Sequence, residues 1–169
     1  MRPKGDVPTP DSAPPPEAEL QRRIVEVLDE NHLMSVATNR SDGWPQATLV
    51  NYLREGRALC FVVARDSQKF ANIVRDPRVS LAIGGGSPGA RGLSMSARVH
   101  EVTEPHRIEQ INKLIWARAE AKAFSPHPLS AAVAVLQADP EIVALTDYAV
   151  PPGRRDLVRI VEDWRVERL

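Results

Sequence analysis

FVVARDSQKFANIVRDP, residues 61–77, changes its period half-way along. Its first four residues close the apolar run ALCFVVA (58–64), which reads as a strand buried on both faces. Phe70, Ile73 and Val74 then recur at helical spacing until Asp76 and Pro77 stop the pattern. Between strand and helix stand Arg65, Asp66, Ser67 and Lys69. Ser67 is a favourable N-cap, and Lys69 falls in the first helical turn, where a positive charge opposes the helix dipole unless something negative is bound. Backbone N–H groups at a helix start lack intrahelical acceptors. An anion would satisfy them, together with the Ser67 hydroxyl, the Lys69 ammonium and Arg65. A plainer reading makes Ser67 only a cap and leaves Lys69 in solvent; spacing alone leaves both open.

Upstream, LMSVATN (33–39), the turn chemistry of Ser41, Asp42 and Gly43, and WPQATLVNYL (44–53) read as strand, turn and strand, hence a hairpin. REGR (54–57) turns the chain into the apolar strand. Downstream, RVSLAIG (78–84) is a strand, GGGSPGARG (84–92) a loop, and GLSMSARVHEV (92–102) alternates as a fifth strand. Leu20, Ile24, Val27 and Leu28 mark an amphipathic helix over 17–31. Pro105 opens another, striped by Ile108, Ile111, Leu114 and Ile115, to about residue 122. Residues 129–137 read as a short helix, 141–150 as a β-rich segment that can begin helical, and DLVRIVEDWRVERL (156–169) as one closing strand. Short strands with interposed helices and no βαβ rhythm predict a mainly β, α+β chain: an antiparallel barrel with helices attached.

Lysine plus arginine equals aspartate plus glutamate at 22 each, so no overall field draws the chain to nucleic acid or an anionic membrane. Recognition of an anion must be local. Cys60 is the sole cysteine and lies in the apolar run, as a small buried hydrophobe would. His32, His100, His106 and His127 fall in separate elements, so no metal site is expected. No apolar run approaches the roughly 18 residues that span a bilayer, and the start lacks a signal peptide's hydrophobic segment, so a cytoplasmic location is expected. Residues 1–16 hold six prolines among small and polar residues and read as a disordered tail before a single domain over 17–169.

The wider run from Met34 to Gly84 carries two motifs, A-T-x-x-x-D-G-x-P (37–45) and S-x-K-x-x-N-I-x-x-D-P-R-V (67–79). With the leading helix and a later strand, over about residues 20–120, it resembles the FMN-binding split β-barrel family related to pyridoxamine 5′-phosphate oxidase. The resemblance implies that Ser67, Gln68 and Lys69 meet the FMN phosphate, with Arg65 beside them. It also implies that Gln46, Ala47, Thr48 and Leu49 run beside the isoalloxazine ring, with Asn51 at its polar edge and Val62 and Val63 flanking. A homodimer completing the pocket is implied, with Trp164 as a C-terminal aromatic offered across it. The implied function is that of an oxidoreductase passing hydride or electrons through the flavin to a small-molecule substrate, with no side chain required as acid or base. A deazaflavin-dependent reductase, or a non-catalytic binder of flavin or haem, is the alternative. Two departures stand out. The chain ends EDWRVERL where the oxidases carry an R-L-H-D-R-like substrate stretch, and Gln68 stands where they have arginine.

Overall fold

The protein is described by a computed structural model over residues 14–87, 89–117, 131–149 and 153–169. In chain order the elements are α1 (Glu17–Glu30), β1 (Leu33–Asn39), β2 (Pro45–Asn51), β3 (Leu53–Glu55), β4 (Ala58–Ala64) and α2 (Gln68–Arg75). There follow β5 (Arg78–Gly84), β6 (Arg91–Glu101), α3 (Pro105–Ala117), β7 (Val133–Asp147), β8 (Arg154–Glu162) and β9 (Arg165–Arg168). All strand pairs are antiparallel, in the order β2-β1-β5-β6-β7-β4-β3, with β8 and β9 continuing from β7. The sheet curls until β2 approaches β4 without pairing with it. This is the mainly β, antiparallel split barrel expected from the sequence, and hydrogen bonds do not close it.

Alternation decides what goes inside. Met34 and Val36 of β1, Val79, Leu81 and Ile83 of β5, and Leu93, Met95 and Val99 of β6 point to one buried cluster. Leu20, Ile24, Val27 and Leu28 of α1 cap it at their predicted helical spacing. Tyr52 fixes that helix, its hydroxyl donating to the Leu28 carbonyl at 2.8 Å. The opposite face of β4 builds a second cluster in which Cys60 packs with Leu53, Val102, Val135 and Ile111 of α3. Cys60 is therefore a core residue, and burial pushes its thiol pKa up to about 12.

Three sequence expectations change. Residues 44–53 are not one strand: β2 ends at Asn51 and β3 starts at Leu53, because the chain leaves β1 to pair with β4. The described part of the expected helix at 129–137 is instead the start of β7, a 15-residue strand. Pro140 lies within it, but at a bulge, where Ser96 opposes Ile142 and Ala97 opposes Pro140; the proline's missing N–H is tolerated at such an irregularity. The closing segment is a hairpin, β8 and β9, turning at Asp163 and Trp164. Helix α3 is described to Ala117, and the rest of its expected length lies outside the described residues, as do positions 1–13 of the proline-rich segment.

The glycine run joins β5 to β6 as expected, and one of its members is constrained. Gly84 has φ +72°, and a Cβ there would stand 2.7 Å from the Arg91 carbonyl oxygen. Gly84→Ala is expected to lose at least about 1 kcal/mol of stability. Gly86→Ala, which meets nothing within 4 Å, should stay within about 0.5 kcal/mol of wild type. Urea unfolding of both variants checks this, and equal midpoints would remove the constraint assigned to Gly84.

Candidate cofactor site

Helix α2 begins where β4 ends, at the split side of the sheet, in contact with both β1 and β4. Its cap is built as the sequence predicts. The Ser67 hydroxyl accepts from the Phe70 N–H at 3.2 Å and donates to the Ala64 carbonyl at 2.6 Å. Ser67 N–H also donates to Ala64, so the turn is tied to the strand end on both its backbone and its side chain. The N–H groups of Gln68 and Lys69 follow at the helix start, where an α-helix supplies no acceptor of its own.

The two nearby cations differ. Arg65 is engaged: its guanidinium pairs with the Glu101 carboxylate and lies 5.4 Å from the centre of the Phe70 ring. Lys69 is half-buried and has no ion-pair partner among the described residues. Burial alone holds its ammonium below the usual lysine range. A half-buried ammonium without a counter-charge, beside N–H groups at a helix start, is a place for an anion.

Behind this start lies a buried amide network. Asn72, 2 % exposed, donates to Thr38 Oγ1 and Gln46 Oε1, each at 3.0 Å, and accepts from Gln68 Nε2 at 2.9 Å. Thr38 is equally buried. The network ties α2 to β1 and β2 and holds the Gln68 side chain along the helix. Asn72 and Thr38 escaped the sequence reading as site residues. The signal was an Asn beside Ile73, on the side of α2 that packs on the core, where an apolar residue is expected.

On β2 the predicted residues divide by face. Gln46 and Thr48 share the inner face with Val50; Ala47, Leu49 and Asn51 are exposed on the outer one, Leu49 at 67 %. Thr48 Oγ1 is buried and has no hydrogen-bond partner, one of two such side-chain atoms among the described residues. It is two residues from Gln46, which is itself bonded to α2 through Asn72. Val62 and Val63 also part company: Val63 points into the main cluster and Val62 into the one under α3, so their side chains cannot both flank one ring.

Trp164 corrects the expectation of an aromatic offered across a dimer. It is 2 % exposed in its own chain's core, and its indole N–H donates to the Gly56 carbonyl at 2.6 Å. Ser67, Gln68 and Lys69 thus stand at the start of α2, and Gln46, joined to that start through Asn72 and Gln68, shares the inner face of β2 with Thr48. Arg65 stands beside them with its charge already paired, and Trp164 is packed in the core. Among the described residues, no three His, Cys, Asp or Glu side chains gather as a metal site, and no helix is long and apolar enough to cross a membrane.

A family model for pyridoxamine 5′-phosphate oxidase matches residues 20–147, from within α1 through β7. The chain belongs to the pyridoxamine 5′-phosphate oxidase family. No curated protein matches it by sequence. Solved structures share the family fold at low identity. A pyridoxamine 5′-phosphate oxidase-related, FMN-binding protein of Nostoc punctiforme is 14 % identical with a TM-score of 0.62, covering 92 % of this chain and 96 % of its own. A candidate pyridoxamine 5′-phosphate oxidase of Listeria innocua is 21 % identical with a TM-score of 0.64, covering 75 % of this chain and 97 % of its own. A haem-binding protein of Mycobacterium smegmatis is 19 % identical with a TM-score of 0.64, covering 85 % of this chain and 59 % of its own. At these identities the likeness is one of fold.

Proposed function

We propose that this member of the pyridoxamine 5′-phosphate oxidase family binds FMN as a cytoplasmic homodimer and acts as an oxidoreductase on a small-molecule substrate. The observation that carries the reading is Lys69, half-buried with no counter-charge among the described residues, at the capped start of α2. Lys69 and the N–H groups of Gln68 and Lys69 would hold the phosphate, with the Ser67 cap keeping the turn in place. The orphaned Thr48 Oγ1 and the inner-face position of Gln46 suit a ligand with polar atoms at its edge, and Ala47, Leu49 and Asn51 continue the same strand. The flavin, when bound, supplies the hydride and electron chemistry. The chain's own work is then to bind, orient and exclude water, which accounts for a site without an evident acid–base pair.

The dimer reading draws on exposed apolar side chains on and beside the outer face of β2, Trp44 at 72 % and Leu49, together with Leu33 on β1. The haem alternative has a counterpart in the Mycobacterium smegmatis protein of the same fold. Lys69 together with the N–H groups at the start of α2 suits a phosphate ester. The purified protein is expected to be yellow, or to take up FMN with a micromolar Kd, and to scatter light as a dimer. An absorption spectrum, with mass analysis of any released molecule, checks this. A haem Soret band alone, a released deazaflavin, or no uptake at millimolar FMN would overturn it.

A further inference from the structure

The Asn72 amide is a buried polar group in a position where the helix otherwise packs apolar side chains, and all its hydrogen bonds lead to other parts of the site. Its Nδ2 donates to Thr38 on β1 and to Gln46 on β2, and its Oδ1 accepts from Gln68 in the first turn of α2. It makes no hydrogen bond to Ser67 or Lys69 with its side chain. We propose that Asn72 is a positioning residue that sets the start of α2 against β2, so that the phosphate end and the ring end of the site are held at one spacing. The inference rests on the FMN reading above.

The physical basis is the penalty for misplacement. A buried amide with both N–H groups and its carbonyl engaged has few alternative geometries, because any shift leaves a buried donor or acceptor unmet. Helix α2 packs on β1 through Ile73 as well, but apolar packing tolerates sliding that a three-way amide junction does not. The junction also determines what Gln68 does. Its side-chain amide is already engaged by Asn72 one turn further along the helix, and with Arg65 paired to Glu101, Lys69 is the cation at the start of α2 without an ion-pair partner among the described residues.

The test is the ratio of affinities for FMN and riboflavin, read by flavin fluorescence in wild type, Asn72→Leu and Thr38→Val. Asn72→Leu keeps the branching at Cγ, adds some volume, and removes every bond that Asn72 makes in the junction. Thr38→Val keeps the side-chain shape, removes one of the Asn72 bonds together with the Thr38 donation to the Gln46 carbonyl, and serves if the first variant does not fold. The preference for FMN is expected to fall about tenfold in Asn72→Leu and by less in Thr38→Val, with the circular dichroism of the ligand-free protein unchanged. A merely structural role lowers both affinities alike and leaves the ratio where it was. An unchanged ratio in the variants that fold overturns the inference while the FMN reading stands. A wild type that binds riboflavin as tightly as FMN, or neither, overturns both.

Discussion

Trp164→Ala is expected to lower the stability of the ligand-free protein by about 3–5 kcal/mol, the usual result of emptying a large aromatic site in a packed core. The side chain is almost fully buried and belongs to the main cluster with Val158, Ile160 and Val166 of the final hairpin. It also answers the Gly56 carbonyl in the turn between β3 and β4, so one residue joins two hairpins far apart in sequence. The backbone works against it: Asp163 and Trp164 have φ of +37° and +64°, a conformation in which bulky residues are outliers. Trp164→Gly relieves that strain by about 1 kcal/mol and should fall slightly less far than alanine. Trp164→Phe keeps most of the apolar volume but leaves the Gly56 carbonyl without its donor, so a loss of about 1–3 kcal/mol is expected. Urea unfolding without ligand measures all three. A loss below about 1 kcal/mol for alanine, coupled to weakened FMN binding, would return Trp164 to the cofactor.

Lys69→Ala should weaken FMN binding by about 2 kcal/mol and leave riboflavin nearly untouched, since charge-assisted bonds are worth about 1.5–3 kcal/mol and only FMN carries the phosphate. The pH dependence follows from burial. In the free protein the Lys69 pKa lies below the ordinary lysine value; a bound phosphate dianion favours the ammonium and raises it. Affinity for FMN is then complete below the free-protein pKa and falls as pH rises through it toward the pKa of the complex. Riboflavin should show no such fall, nor should FMN with the alanine variant. Ligand-free stability has the opposite slope. The unfolded chain holds the Lys69 proton more tightly than the folded one, so stability rises with pH between the two pKa values, and Lys69→Ala removes that rise. Equal losses of FMN and riboflavin in the variant would strip Lys69 of its phosphate role.

The start of α2 was legible because its signals are local: an N-cap serine, a lysine in the wrong turn for the dipole, and an Asp-Pro stop. The hairpin of β1 and β2 was legible for the same reason, with Asp-Gly at its turn. What escaped depends on partners distant in sequence. Pro140 reads as a break in an isolated segment and becomes a bulge only because β6 lies opposite. The β8–β9 turn has no glycine at its centre, and an Asp-Trp pair in left-handed backbone is held there by a core the sequence does not display. The faces of Val62 and Val63 depend on there being two clusters, and the pairing of Arg65 with Glu101 on meeting a strand 36 positions away.

The length of β7 has a consequence for the order in which the chain can become structured. Among the described residues, strand β4 pairs only with β3 and β7, and β7 alone links that hairpin to β6 and the rest of the sheet. Until residues 133–147 have left the ribosome, the strand that leads into α2 has no sheet to join. Contacts of such long sequence separation are slow to form. The first half of the molecule therefore waits with an unpaired strand edge, a period in which nascent chains associate wrongly or depend on chaperones.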